Sequence, residues 1–244
     1  MNKLAITGGK KIFPKNLKGT PLTDHLEIKY VNECLNNNTY SRFVGSPVGG
    51  YRDQLKMSSS EASKIDDKWS VLGGKFVRLF EREFANKYDV KYAVSMNSAT
   101  SGITAAILAA GIKPGDEVIT TPISFTATAT AIHLSGAKVV FADIDEKTYC
   151  MDPKSLKSKI TKKTKAVVPV HFDGNAGNIF EIDKICKSNN LILIEDSAQA
   201  LLCKKNNKFL GSIGLAGIYS FQESKNIMTG EGGMVITNDD EMAY

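Results

Sequence analysis

The sequence predicts an α/β fold in which a mainly parallel β-sheet is covered by helices on both faces. From residue 73 onward, short strand-like runs alternate with helix-like segments, a pattern typical of such a sheet. The strand-like runs are rich in Val and Ile, as buried parallel strands are. With 244 residues, 42% of them hydrophobic, the chain can build one large core.

Two helices are predicted ahead of the first strand. A short helix is expected near Asp24–Leu35, with Leu26, Val31 and Leu35 on its apolar side. An amphipathic helix is expected for KFVRLFEREFANKY, where apolar residues recur at helical spacing. The later strands are KYAVSM, DEVITT, KVVFAD, KAVVPV, LILIE, AGIYSF and GGMVITN, and the helices between them are Ala99–Ala110, Ala127–Leu134, Pro153–Ile160 and Ile179–Ser188.

The first part of the chain lacks this alternation. Residues 40–74 are rich in Asn, Ser, Gly and Asp, a composition that favours turns and loops. We therefore expect an N-terminal segment with a long loop over residues 1–74 and an α/β domain over residues 75–244.

Composition and charge argue against several classes of protein. No apolar run reaches the roughly 20 residues that span a bilayer, and the start lacks a secretory apolar segment, so we expect a cytoplasmic protein with no membrane partner. The net charge of +5 comes from scattered lysines without interleaved aromatics, so we expect no nucleic-acid partner. The four cysteines form no CxxC pair, which favours reduced thiols and no metal site.

Ligands of open α/β sheets bind beyond the carboxyl ends of the strands. The residues that follow each predicted strand are therefore the candidates for a binding site. These segments are Asn97–Thr100, Thr121–Phe125, Asp143–Asp145, His171–Gly174, Asp196–Gln199 and Ser220–Lys225.

Asn97–Thr100 lies between a strand and a helix and contains small residues. Small side chains let a ligand approach the backbone, and free N–H groups at a helix start attract anions such as phosphate. The alternative is an ordinary N-cap, since Ser is a preferred capping residue. No GxGxxG motif follows an early strand, which argues against a dinucleotide site.

Two charged residues at the same sheet edge are candidates for chemistry. Asp196 directly follows LILIE, where a carboxylate either caps the next helix or pairs with a cationic ligand nitrogen. Lys225 lies in a Gly-rich region between two strands; most lysines are solvated, but a desolvated lysine amine becomes a nucleophile for aldehydes. A phosphate cradle, an acid and a lysine together match the needs of pyridoxal 5'-phosphate (PLP).

A series of motifs from Gly73 to Tyr244 is shared with one enzyme family. The series includes YAVSMNSATSG, GIKPGDEVITTPISFTATATAI, PVHFDG, LILIEDSAQA, GSIGLAGIYSFQESKN and GEGGMVITND, and ITGGKK near the start matches as well. In this order the motifs resemble the large domain of the PLP-dependent sugar aminotransferases known as the DegT/DnrJ/EryC1/StrS family.

The resemblance implies roles for individual residues. Lys225 matches the lysine that holds the cofactor aldehyde, Asp196 the acid on the pyridine nitrogen, and Gln199 the residue near the ring hydroxyl. Phe125 matches the aromatic side chain stacked on the ring, the alternative being a core Phe; His171 is assigned no catalytic role. The residues that match the phosphate contacts are Ala99, Thr100 and Ser220.

The family also implies an activity and partners. We expect an aminotransferase that moves an amino group from glutamate or glutamine to a keto-sugar, nucleotide-linked, in surface-polysaccharide or amino-sugar biosynthesis. We expect a homodimer for the full-length protein, and a small C-terminal domain that is missing from this chain. Sugar dehydratases of the family carry His in place of the lysine, so Lys225 argues against that activity.

Two alternatives to this activity stay open at the level of the sequence. SFQESKNIMTGEGG also resembles members that act on a cyclitol or another carbocyclic ketone. The other alternative, from a different class of protein, is a truncated non-catalytic relative that binds a sugar nucleotide or a partner.

Overall fold

The computed structural model describes residues 9–10, 23–36, 58–62, 64 and 73–243. Most of the loop predicted for residues 40–74, most of ITGGKK and Tyr244 lie outside these described residues. The chain divides into two compact units, residues 1–38 and residues 39–244. The predicted domain boundary after residue 74 stays a prediction.

In the first unit, helix α1 spans His25–Asn36, in agreement with the sequence pattern. Asp24 and Glu27 form a capping box at its start. The N–H of Leu26 donates to Asp24 Oδ1 and the N–H of Asp24 donates to Glu27 Oε2, both at 2.7 Å. Leu26 and Val31, on the predicted apolar side, are exposed.

A seven-stranded sheet forms the centre of the second unit. Five neighbouring strands are parallel, and one strand, Gly233–Thr237, is antiparallel to both of its neighbours. The predicted mainly parallel sheet is therefore confirmed. The strands are β1 (Tyr92–Met96), β2 (Glu117–Thr120), β3 (Lys138–Phe141), β4 (Thr164–Val167), β5 (Ile192–Asp196), β6 (Lys204–Lys205), β7 (Lys208–Phe209), β8 (Ala216–Ser220) and β9 (Gly233–Thr237). The sheet order is β1-β9-β8-β5-β4-β2-β3, and β6 and β7 form a separate hairpin.

Helices cover both faces of the sheet, as predicted. The helices are α2 (Ser59–Ala62), α3 (Lys75–Tyr88), α4 (Ala99–Ala109), α5 (Ala127–Leu134), α6 (Pro153–Lys159) and α7 (Ile179–Ser188). Successive strand residues point to opposite faces, so Val118 packs with α4 and α5 while Ile119 packs with α6 and α7. On the Ile119 face, Phe84 of α3 packs against Tyr219 and Met234.

The outer edge of β1 is protected by a side chain. Buried Ser59 accepts a hydrogen bond from the N–H of Ala93 at 2.9 Å and donates to the carbonyl of Ala93 at 3.1 Å. One hydroxyl thus occupies a backbone donor and acceptor that an edge strand would otherwise offer to another chain.

The differences from the predicted elements are small and local. The β6–β7 hairpin and a 3-10 turn at Phe172–Gly174 were not predicted, because segments of two or three residues carry no hydrophobic period. All four cysteines are free thiols. Among the described residues, no helix has the length and apolar character needed to cross a membrane.

Candidate functional site

A cavity of about 490 Å³ lies at the carboxyl ends of the central strands. Segments that follow β1, β2, β5 and β8 form its walls. The lining residues are Ser98, Ala99, Thr100, Ile103, Ser124, Phe125, Ala127, Thr128, Asp196, Ala198, Gln199, Ser220, Gln222, Ser224, Lys225 and Glu231. Every residue to which the sequence analysis gave a cofactor-binding or catalytic role lines this one cavity.

Two of the predicted strand-end segments do not line the cavity. Asp143–Asp145 follows β3, the outermost strand of the sheet, and lies away from this cavity. His171–Gly174 lies beside the site instead: the N–H of His171 donates to the carbonyl of Asp196 at 3.0 Å. Sheet order, which decides which strand ends meet, cannot be read from strand composition.

The start of α4 is both an N-cap and a donor site. Ser98 Oγ accepts the N–H of Ser101 at 3.1 Å, and the first helical hydrogen bond joins the N–H of Gly102 to the Ser98 carbonyl. The N–H groups of Ala99 and Thr100 precede that bond and lie at the positive end of the helix dipole. The structure is therefore compatible with both interpretations of Asn97–Thr100, an N-cap and an anion-binding site.

Only glycine fits where β9 passes this turn. A Cβ on Gly233 would lie 2.5 Å from the carbonyl carbon of Ser98 and 2.7 Å from the nitrogen of Ala99. The close approach of the two backbones joins the start of β9 to the start of α4, and so fixes one wall of the cavity.

Asp196 ends β5 and is only 4% exposed. Its Oδ2 accepts the hydroxyl of Thr128 at 2.6 Å, and its Oδ1 accepts the N–H of Ala198 at 3.1 Å. Burial raises the pKa of Asp196, while these two hydrogen bonds and the charges of His171 and Lys225 act in the opposite direction. The carboxyl group therefore retains acceptor capacity toward a cationic or N–H ligand.

The neighbouring Glu195 points to the other face of the sheet and has a structural role. It is fully buried, and His171 Nε2 lies 2.8 Å from its Oε2. Because backbone N–H groups can only donate, they fix both carboxylate oxygens as acceptors, and His171 donates as well. These N–H donors belong to Gly211 at 2.9 Å, Ile213 at 2.7 Å and Gly214 at 2.8 Å.

Lys225 is half-buried in a turn held by Gln222. The N–H of Lys225 donates to the Gln222 carbonyl at 2.8 Å. The side-chain oxygen of Gln222 accepts the N–H of Ser224 at 2.9 Å and its hydroxyl at 2.6 Å. The turn thus holds the lysine in the wall of the cavity that also contains Asp196.

The other predicted residues offer distinct groups to a ligand. Gln199 Oε1 accepts the N–H of Asp173 at 2.9 Å, which leaves the Gln199 amide NH₂ as its donor. Ser220 is buried at the end of β8 and presents a hydroxyl. Phe125 is 74% exposed, so the alternative of a core Phe is wrong.

Sequence reasoning missed the lining residues Thr128 and Glu231, whereas Ser124 and Gln222 were included only as members of strand-end segments, without a role. Thr128 lies in the first turn of α5, beyond the strand-end segment Thr121–Phe125, so the strand-end rule did not reach it. Among the described residues, no group of three or more His, Cys, Asp or Glu side chains is placed to hold a metal ion.

The architecture and this cavity are those of an α/β large domain with a lysine and a buried acid at the sheet edge. The model of the DegT/DnrJ/EryC1/StrS aminotransferase family matches residues 55–244. The chain belongs to this family, and the family predicted from its motifs is confirmed.

Individual relatives agree with this assignment. The spore coat polysaccharide biosynthesis protein SpsC of Bacillus subtilis is 45% identical over 179 residues, which cover 73% of this chain and 46% of that protein. The aminotransferase from Psychrobacter cryohalolentis superposes with a TM-score of 0.77 at 33% identity and covers 93% of this chain and 50% of its own.

A third relative was solved with a cofactor. The E. coli GDP-4-keto-6-deoxy-D-mannose-3-dehydratase with bound hydrated PLP has a TM-score of 0.74 and 29% identity, covering 92% of this chain and 51% of its own. This chain spans about half the length of the curated relatives it matches.

The adjacent carboxylates of Glu195 and Asp196 should respond oppositely to removal of their charge. Glu195→Gln places an amide NH₂ among four donors and should lower the free energy of unfolding by about 3–5 kcal/mol. Asp196→Asn should stabilise the ligand-free chain at neutral pH, because the raised pKa of Asp196 means that folding disfavours its charge.

Denaturant unfolding across pH measures both effects. The gain from Asp196→Asn should shrink as the pH falls through the raised pKa of Asp196 and vanish below the ordinary Asp pKa of about 3.9, where the carboxyl is protonated in both states. A loss of stability from Asp196→Asn at neutral pH, equal to that from Glu195→Gln, would contradict the division of roles.

Proposed function

We propose that this chain is the cofactor-binding part of a PLP-dependent aminotransferase that acts on a nucleotide-linked keto-sugar. The observation that carries the proposal is the placement of Lys225, buried Asp196 and the start of α4 around one cavity. A PLP-bound structure among the relatives, with the same fold over most of this chain, supports the choice of cofactor.

The groups around the cavity fit the parts of PLP. The N–H groups of Ala99 and Thr100 and the hydroxyl of Ser220 would hold the phosphate. Exposed Phe125 would cover the ring face. The Gln199 amide and Asp196 would face the two polar sites of the ring.

The polar groups of the ring need one donor and one acceptor. Gln199 retains its NH₂ as a donor for the ring hydroxyl, because Asp173 occupies its oxygen. Asp196 retains acceptor capacity for the protonated ring nitrogen. When bound, PLP supplies an electron-withdrawing ring that stabilises the charge left by removal of the substrate's α-proton.

The chain's own residues tether the cofactor and move the proton. Lys225 would hold the cofactor aldehyde until the amino-acid donor displaces it, and its released amine would then accept the α-proton. Asp196, when ionised, would keep the proton on the ring nitrogen. Both side chains line the cavity, so the tether and the charge act on one bound molecule.

The substrate, partners and compartment are part of the proposal. The amino donor is glutamate or glutamine, and the acceptor is a nucleotide-linked keto-sugar of surface-polysaccharide or amino-sugar biosynthesis. The polysaccharide role in the name of SpsC and the GDP-linked keto-sugar in the name of the dehydratase support this class. We also propose a cytoplasmic homodimer. Lys225 favours amino transfer over dehydration.

Lys225→Ala tests the tether directly. The 244-residue chain incubated with PLP should develop a visible absorbance band, and borohydride should fix the cofactor to the peptide that contains Lys225. The variant should show neither the band nor the mass increase. Lys154→Ala, which removes an exposed lysine on α6, is the matched control and should behave as wild type.

A colourless wild-type chain would contradict this proposal. Absence of PLP uptake would support the alternative of a non-catalytic relative. Fixation of PLP at another lysine would remove Lys225 from its role.

Ser220→Ala should weaken PLP binding by about 1.5–3 kcal/mol, the value of a hydrogen bond to a charged group. Absorbance titration of the chain with PLP measures the affinity. Ser158→Ala, on α6, is the control because its hydroxyl bonds only to the Ser155 carbonyl among the described contacts. Equal PLP affinity in Ser220→Ala and wild type would show that Ser220 does not hold the phosphate.

A further inference from the structure

Thr128 makes the shortest contact to the buried acid of the cavity. Its hydroxyl lies 2.6 Å from Asp196 Oδ2, and the two residues are 2% and 4% exposed. A hydrogen bond of this length between a hydroxyl and a carboxylate is charge-assisted, and shielding from water strengthens it.

The donors and acceptors around Thr128 set the direction of its proton. A hydroxyl has one proton, and an ionised Asp196 can only accept, so Thr128 donates to Asp196. The Ser124 hydroxyl, 2.9 Å from Thr128 Oγ1, then has to be the donor to Thr128. The carbonyl of Phe125 is a weaker competitor for the Thr128 proton at 3.4 Å.

The result is a directed chain of hydroxyl groups that ends on the carboxylate. We propose that Thr128 is a positioning residue, which with Ser124 holds Asp196 ionised and oriented toward the ring nitrogen of the cofactor. This inference rests on the proposed function. The hydroxyl groups of Ser124 and Thr128 are needed because burial works against the negative charge on Asp196 that a protonated ring nitrogen requires.

Other groups also act on Asp196, and the test has to separate them from Thr128. The N–H of Ala198 holds the second oxygen at 3.1 Å. His171 and Lys225 are the titratable groups whose charges act on Asp196, and neither contacts Thr128 in the described hydrogen bonds. A substitution confined to the Thr128 hydroxyl leaves all three groups in place.

Thr128→Val removes the hydroxyl at nearly constant shape, and Thr128→Ser restores it without the methyl group. PLP affinity is measured by absorbance titration across pH on the 244-residue chain. Thr128→Val should bind PLP about 10- to 100-fold more weakly at neutral pH. As the pH is lowered, Thr128→Val should lose PLP affinity at a higher pH than wild type does. The reason is that Asp196 has lost a donor to its charged form, which raises its pKa.

Rescue separates this role from simple packing. Thr128→Ser should recover most of the affinity and the wild-type pH profile, since it restores the donor. Ser124→Ala should shift both quantities in the same direction as Thr128→Val, but less. If Thr128→Val does not fold, Ser124→Ala decides, because Ser124 is only half-buried: an unchanged pH profile would overturn the inference.

The outcomes distinguish this inference from the function on which it rests. A wild-type chain that takes up no PLP overturns the proposed function itself. A wild-type chain that binds PLP, with a Thr128→Val variant of equal affinity and equal pH profile, overturns only the role of Thr128. Failure of Thr128→Ser to rescue a folded Thr128→Val defect would assign the effect to the methyl group and also overturn it.

Discussion

Two carboxylates that leave β5 on opposite faces of the sheet are the constraint on which the site depends. The two-residue period of a strand sends Glu195 into the protein and Asp196 toward the cavity. Glu195 receives four donors, which tie the loop around Gly211–Gly214 to the strand end. Asp196 receives two hydrogen bonds and keeps capacity for a ligand. Glu195 holds the end of β5 in place, and this fixed backbone positions the carboxyl group of Asp196 at the cavity.

The reversed strand β9 has a functional consequence. Two parallel strands need a long crossover, which would carry the chain away from the carboxyl edge, whereas antiparallel strands are joined by a short connection at that edge. Because β9 runs antiparallel to β8, residues 221–232 remain above the cavity, and Lys225 lies among them. Gly233 then passes against the start of α4, so the connection is fixed at both ends.

The sequence predicted most of the fold because buried parallel strands are runs of Val and Ile between amphipathic helices. The rule that ligands bind beyond the carboxyl ends of parallel strands then placed Lys225, Asp196 and Ala99 at one edge of the sheet from strand position alone. Long-range pairings were not predictable. Nothing local in Glu195 indicates that its partners lie some fifteen to twenty residues later, at Gly211–Gly214. Thr128 was missed because its partner Asp196 is distant in the chain and a Thr in a helix is ordinary.

Three side chains of the cavity present groups that one kind of ligand would satisfy together. Phe125 exposes 74% of an aromatic side chain, which loses the free energy that burial would give. Asp196 is a buried acid whose pKa is raised by loss of water. Lys225 is a half-buried amine in the same cavity. An aromatic ring that carries a cationic nitrogen, an aldehyde and an anionic group would cover the first, pair with the second and bond the third. The three side chains line one cavity. Their proximity favours a single conjugated cofactor over separate small ligands.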